Sequence, residues 1–345
     1  MKLDLPNTFL AKQKKLPIKR EVQNPEIQES RNFQRKPACS KPMAGSESKG
    51  LPMIDMQDFP GQLAKLIEAC EEWGCFRIVN FQNFVPQSLM QDMKGVIRSL
   101  LDLPIEIKRR NVDVIAGSGY MAPSKINPLY EALGLYDMAS AQDVDAFCTQ
   151  LDAAPHQRQT ILRYARAVNE LMMDIGHKIG EGLGLKGVPF KGWPCQFRIN
   201  KYTFTNESVG SSGVQLHTDS SFLTVLQDDE IIGGLEVMRK SGTFFAIDPC
   251  PETLLVNLGD IAAVWSNGRF YNVKHRVLCR EAGIRLSIAS FLLGPKEGMV
   301  ETPAELVDSE HPPLYIPFTY EEFRKLRVSK KLHTGEVLEL LRVQS

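Results

Sequence analysis

His217-Thr218-Asp219 opens, and Arg285-Leu286-Ser287 closes, the stretch on which the reading of the fold turns. Inside it, short apolar runs at 222–226, 235–238, 244–247, 254–257 and 273–277 alternate with Gly233-Gly234, Ser241-Gly242, Gly259-Asp260 and Asn267-Gly268. Short runs of β-formers bounded by such turn residues predict strands. Two more runs precede the stretch, at 196–202 and 214–216, and 285–291 ends it. So many short strands with tight turns predict a double-sheet jelly roll over 187–300.

Outward from that core the grammar changes. Residues 51–186 read as mainly helical. Leu63, Leu66, Ile67 and Cys70 sit at helical spacing and Gly74 stops the run, giving a helix over 62–73. Residues 75–81 alternate as a strand, and 86–101 form a helix with proline in its first turn. The longest helix is expected over 157–183, where Ile161, Tyr164, Val168, Leu171, Met172, Ile175 and Ile179 make one apolar stripe for packing on a sheet. Gly117-Ser118-Gly119-Tyr120 and Pro123 mark a loop. The last segment, 301–345, carries a helical signal over 319–327 with Thr319 as its cap, and is expected to fold back on the core. The fold class is therefore α+β, with N-terminal helices packed outside the sheet and a C-terminal helix.

A chain of 345 residues that is 43% hydrophobic buries a substantial core, which excludes a disordered or fibrous protein. Its 41 Lys and Arg balance 41 Asp and Glu, so no net field draws it to nucleic acid or an anionic membrane; a small-molecule partner is expected. Oligomeric state is left open. Residues 1–50 differ, with 11 Lys or Arg against 5 Asp or Glu among prolines, serines and glutamines, and read as a basic, disordered arm rather than a transit peptide. No apolar run is long enough to cross a bilayer. The seven cysteines show no metal or disulfide spacing and are expected to be reduced core thiols, which places the protein in the cytoplasm.

The chemistry is expected at the ends of the opening stretch. Alternate residues of a strand face one way, so His217 and Asp219 can aim at one metal, with His275 from a later strand as third ligand. Two imidazoles and one carboxylate leave half of an ion's coordination sphere open, the facial arrangement of non-heme Fe(II) oxygenases. A structural zinc would call for four ligands, usually with thiolates; a catalytic zinc hydrolase stays open on ligand type alone. Arg285 weighs for iron: a buried arginine beside an open metal grips a carboxylate with a two-pronged fork, so a dicarboxylate cosubstrate is expected, with a structural salt bridge as the alternative.

These residues and their surroundings resemble the plant soluble 2-oxoglutarate/Fe(II)-dependent dioxygenases. The likeness runs through His217-Thr218-Asp219-Ser220-Ser221-Phe222-Leu223-Thr224, Gly233-Gly234-Leu235-Glu236-Val237, Asn257-Leu258-Gly259-Asp260, His275-Arg276-Val277 and Arg285-Leu286-Ser287-Ile288-Ala289-Ser290-Phe291, and upstream through Cys70-Glu71-Glu72-Trp73-Gly74-Cys75-Phe76. The resemblance implies a double-stranded β-helix core. It also implies an enzyme using Fe(II) as cofactor, with 2-oxoglutarate and O2 as cosubstrates and succinate and CO2 as coproducts. Arg285 and Ser287 would hold the far carboxylate of 2-oxoglutarate. Asn200-Lys201-Tyr202 matches the family's N-x-Y, so Tyr202 and Asn200 would contact it near the metal.

Two departures stand out: Thr203-Phe204-Thr205-Asn206 follows N-x-Y where many relatives have a proline-rich loop, and Asn272 replaces the usual serine before H-R-V. With Cys195-Gln196-Phe197-Arg198-Ile199-Asn200 and Ser208-Val209-Gly210-Ser211-Ser212-Gly213, they are similar to the branch containing the dioxygenases for auxin oxidation. That branch implies conversion of indole-3-acetic acid to 2-oxindole-3-acetic acid; the same chemistry on an alkaloid or indoleamine, or a non-catalytic jelly-roll binder, are the alternatives. Arg198 shares the strand parity of Asn200 and Tyr202 and is a candidate for a substrate carboxylate, unless it pairs with an acid on a neighbouring strand. Tyr120, Phe222 and Phe291 are candidate aromatic walls.

Overall fold

The computed structural model describes residues 50–187 and 190–344, so the basic arm lies outside the described residues. The first part of the chain runs β1 (Met53–Asp55), α1 (Leu63–Glu72), β2 (Cys75–Val79), α2 (Gln87–Leu101), α3 (Ile105–Lys108), β3 (Tyr130–Leu135), α4 (Ala141–Gln150) and α5 (Pro155–Gly182). The β-rich part follows as β4 (Cys195–Phe204), β5 (Ser212–His217), β6 (Leu223–Gln227), β7 (Leu235–Met238), β8 (Phe244–Ala246), β9 (Leu254–Leu258), α6 (Asp260–Trp265), β10 (His275–Leu278) and β11 (Gly283–Leu292). Helix α7 (Tyr320–Lys330) comes last.

The strands form two sheets, ordered β1-β2-β9-β6-β11-β4-β3 and β5-β10-β7-β8. Only the β1–β2 pair is parallel among the described strands. This is the jelly roll with helices outside that the strand spacing predicts, and each of the eight strands expected between 196 and 291 is present. Three strands from the helical part, β1, β2 and β3, extend the larger sheet at its two edges. Strand β3 carries little β signal in Tyr-Glu-Ala-Leu-Gly-Leu; its extended form comes from pairing with β4, Tyr130 opposite Tyr202 and Gly134 opposite Arg198.

Helix α5 begins with Pro155 at a position where its missing N–H costs nothing, and the side chain of Gln157 accepts from the Ala154 N–H at 2.8 Å. Its apolar stripe is buried against the larger sheet, where the hydroxyl of Tyr164 donates to Gln227 Oε1 at 2.8 Å. Helix α7 is closed by a capping box: the Glu322 N–H donates to Thr319 Oγ1 at 3.2 Å and Glu322 accepts from the Thr319 N–H at 2.9 Å. A smaller apolar cluster, including Tyr202, Leu226, Leu235, Val277 and Ala289, fills the space between the two sheets, and the candidate site opens there.

Cys70, Cys75, Cys148, Cys195 and Cys279 are buried free thiols, and burial pushes the Cys75 thiol up to about 12. Cys250 departs from the expected reduced state, being disulfide-bonded. No helix among the described residues is long and apolar enough to cross a membrane.

Candidate active site

His217 ends β5 and His275 begins β10, and the two are directly opposed across that antiparallel pair. Their rings lie 4.2 Å apart, centroid to centroid. Asp219, two residues past His217, turns its Oδ1 toward both, 3.7 Å from His217 Nε2 and 3.6 Å from His275 Nε2. The other carboxylate oxygen is occupied: Thr224 Oγ1 donates to Asp219 Oδ2 at 2.6 Å. Each imidazole has its Nδ1 against a backbone carbonyl two residues earlier, Gln215 at 2.8 Å and Val273 at 3.3 Å. That contact fixes the tautomer and leaves Nε2 as the lone-pair donor. Burial, and after it the like charge of His275, holds the pKa of His217 well below its ordinary value, so the ring stays neutral and able to ligate. Among the described residues these three are the one cluster able to hold a metal ion. Two nitrogens and an oxygen facing one point, with no thiolate, suit Fe(II) with open positions.

The second part of the site is written into the β4–β11 register. Arg285 faces Tyr202, Ser287 faces Asn200, Ala289 faces Arg198 and Phe291 faces Gln196, and all of these line one cavity of about 270 Å³ with the three metal-facing residues. Arg285 is 1% exposed, yet its Nε and Nη1 have no hydrogen-bond partner, while Nη2 donates to Asp228. Burial works against its charge, but Asp228 first, and after it the Tyr202 hydroxyl, hold its pKa above the ordinary arginine value. The guanidinium carbon sits 4.9 Å from the centroid of the Tyr202 ring. Asn200 is fixed at both ends, accepting from the hydroxyl of Tyr130 at 2.7 Å and donating to Ser287 Oγ at 3.3 Å. An orphaned fork beside a hydroxyl is the donor set a carboxylate requires.

Farther along the same strands Arg198 lines the cavity but pairs with no acid among the described residues. Its Nη1 donates to the carbonyl of Gly117, with Gly119 at 3.5 Å, and its Nη2 is buried without a partner. Phe291 lines the cavity beside it. The other two aromatic candidates do not. Phe222 is fully buried in the main apolar core, edge-on to Trp265 and Trp193 and 4.5 Å from Phe190. It lies one residue before β6, whose Thr224 and Leu226 do line the cavity. Tyr120 lies outside the cavity lining, its hydroxyl donating to Glu131 at 2.7 Å and its ring 5.8 Å from Lys108 Nζ.

The structure adds residues that sequence reasoning passed over. Asp228, inside the Leu226-Gln227-Asp228 segment, steadies Arg285. Tyr130 orients Asn200 from a strand with no clear signal. Arg324, on α7, donates to Ser220 Oγ at 2.8 Å and to the Ala116 carbonyl at 2.6 Å, bringing the C-terminal helix and the 116–119 loop to the cavity wall. Nothing in the local sequence around Arg324 distinguishes it from the other cations of that helix.

Comparison with known proteins agrees with this geometry. The profile of the 2OG-Fe(II) oxygenase superfamily matches residues 193–294, and that of the non-haem dioxygenase in morphine synthesis N-terminal region matches 51–138. A curated relative from Oryza sativa, the 2-oxoglutarate-dependent dioxygenase DAO, is 50% identical over 297 residues, covering 84% of this chain and 98% of its own. The crystal structure of the rice dioxygenase for auxin oxidation superposes with a TM-score of 0.79 at 49% identity, over 85% of this chain and 100% of that one. The Arabidopsis thaliana dioxygenase for auxin oxidation 1, in its binary complex with 2-oxoglutarate, gives a TM-score of 0.74 at 56% identity, over 76% of this chain and 100% of that one.

Proposed function

The chain belongs to the 2-oxoglutarate- and Fe(II)-dependent dioxygenases, and from that premise we propose that it oxidises an auxin-type aromatic acid, indole-3-acetic acid to 2-oxindole-3-acetic acid. Fe(II) is its cofactor, 2-oxoglutarate and O2 its cosubstrates, and succinate and CO2 its coproducts. The two solved structures at about half identity carry auxin oxidation in their names. The observation that carries the substrate class is the partnerless Nη2 of Arg198 in the cavity, since a buried cationic donor is costly unless a ligand answers it.

In this reading Fe(II) is held by His217 Nε2, Asp219 Oδ1 and His275 Nε2. Bound there, it supplies oxygen activation coupled to the oxidative decarboxylation of 2-oxoglutarate. The chain's own residues supply orientation. The Arg285 guanidinium and Ser287 Oγ take the far carboxylate of 2-oxoglutarate, and Tyr202 and Asn200 bound its path to the metal. Burial raises the pKa of Tyr202, so its hydroxyl stays protonated and donates. Arg198 takes the substrate carboxylate, and Phe291 offers a flat apolar face to the ring system. Asp219 and His275 are almost fully buried, while the His217 side chain stays partly exposed.

The direct test is incubation with Fe(II), 2-oxoglutarate, O2 and indole-3-acetate. The expected result is gain of one oxygen atom by the substrate with one succinate per product. Succinate release that indole-3-acetate does not stimulate would overturn the substrate assignment, while loss of succinate altogether would overturn the enzyme.

A further inference from the structure

Asp260 stands behind the metal-facing residues and touches none of their ligand atoms. It opens α6 directly after Gly259 and is fully buried. Its backbone N–H donates to the carbonyl of Asp219 at 2.9 Å. Its Oδ1 accepts from Asn272 Nδ2 at 2.8 Å, and its Oδ2 accepts from Arg327 Nη1 at 2.5 Å. Arg327 comes from α7 and is itself buried. It also donates to Thr218 Oγ1 at 3.1 Å, to the Thr218 carbonyl, and to the His333 carbonyl at 2.9 Å. The N–H of Thr218, between the first two ligands, donates to that same His333 carbonyl at 2.9 Å.

The packing around this carboxylate leaves no slack. A Cβ on Gly259 would come within 2.3 Å of the Ser221 carbonyl oxygen and 2.7 Å of that of Asp219. Gly335 has φ +88° and lies so close that a Cβ there would stand 2.8 Å from Asn272 Nδ2. One carboxylate therefore joins the two chain segments that supply the ligands. Residues 217–219 reach it through Thr218 and Asp219; the segment leading to His275 reaches it through Asn272, three residues earlier.

We infer that Asp260, with Arg327 and Asn272 as its two arms, is the positioning group that sets His217 and Asp219 against His275 at metal spacing, so that the C-terminal segment is a working part of the metal centre. The inference rests on reading His217, Asp219 and His275 as the metal site. Partners in this position orient ligands without touching the ion, and their loss typically weakens metal binding by about 10- to 100-fold.

Titration of the metal-free full-length protein with Mn(II), followed by the electron paramagnetic resonance signal of the free ion, tests it without turnover. Asn272→Ala, on a half-buried side chain, is expected to raise the Kd for Mn(II) by about tenfold. Arg327→Lys keeps the charge but loses the fork that spans Asp260 and Thr218, and is expected to raise it as well. Because both act through one carboxylate, the double variant should weaken binding less than the product of the two single effects. A Kd within about twofold of wild type in both folded single variants, whatever happens to their melting temperatures, overturns the inference; if only one of the two variants folds, its Kd decides. His275→Ala is the control: if wild type binds no Mn(II), or His275→Ala binds it equally well, the metal-site reading itself fails and takes this inference with it.

Discussion

Strands β4 and β11 build both ends of the cavity, and they build them differently. At the end proposed for the cosubstrate, four residues of the lining are set by one antiparallel register: Arg285 faces Tyr202, Ser287 faces Asn200, and each finds its neighbour across the strand pair. At the substrate end the same register supplies Arg198 and Phe291, but the facing wall comes from the 116–119 loop and from Arg324 on α7. Register is a rigid instruction, since a slip of one residue would reverse every side chain. Loops and a docked helix vary without disturbing it. One end can thus keep its chemistry while the other changes its ligand.

The contrast is open to attack, most severely at the metal. Asp219→Ala or His275→Ala should reduce succinate formation to the uncatalysed level, and retained turnover would remove the shared anchor of both ends. Arg285→Lys comes next. An ammonium cannot reproduce the fork, so the KM for 2-oxoglutarate should rise by about 10- to 100-fold, the loss of one charge-assisted hydrogen bond at about 1.5–3 kcal/mol. An equal rise in the substrate KM would mean that the two ends are not separable.

Arg198→Ala should do the converse, raising the KM for indole-3-acetate by about tenfold while 2-oxoglutarate decarboxylation without substrate persists. An unchanged substrate KM would dissolve the distinction at that end. The smallest effect is expected from Tyr120→Phe. Its hydroxyl partner Glu131 keeps Lys108 at 2.5 Å, so thermal unfolding should register about 1 kcal/mol and neither KM should move. A shifted substrate KM would return Tyr120 to the wall.

How far the sequence could be read follows the same division. Strands β4 to β11 are short, several are bounded by glycine-containing turns, and they carry their own apolar pattern; the facing sets on β4 and β11 follow from period-two parity. Parity places Arg198 with Asn200 and Tyr202, and the register bears that out. Parity misleads at Phe222: it shares the even parity of Thr224 and Leu226, which line the cavity, yet it lies one residue before β6 and its ring packs with Phe190 and Trp265 in the main core. What local pattern cannot convey is contact between distant segments: Arg324 with the 116–119 loop, Arg327 with Asp260, or Tyr130 with Asn200. The departure at Asn272 belongs here too. An amide reaches Asp260 where a shorter serine hydroxyl would fall short, so the substitution makes sense only once α6 and β10 stand side by side.

The pairing of Arg285 with Asp228 bears on how ligand reaches the site. A lone buried cation would cast a field into the cavity mouth and draw dianions from a distance. Here a carboxylate already answers that cation, and the chain as a whole carries 41 charges of each sign. Arg285 therefore adds little long-range pull of its own, and Arg198, which no carboxylate among the described residues answers, is a cation left to draw an acidic ligand in. Discrimination among the many small dianions of a cell falls to the guanidinium donors that Asp228 leaves free, which a ligand must meet at the right reach from the metal.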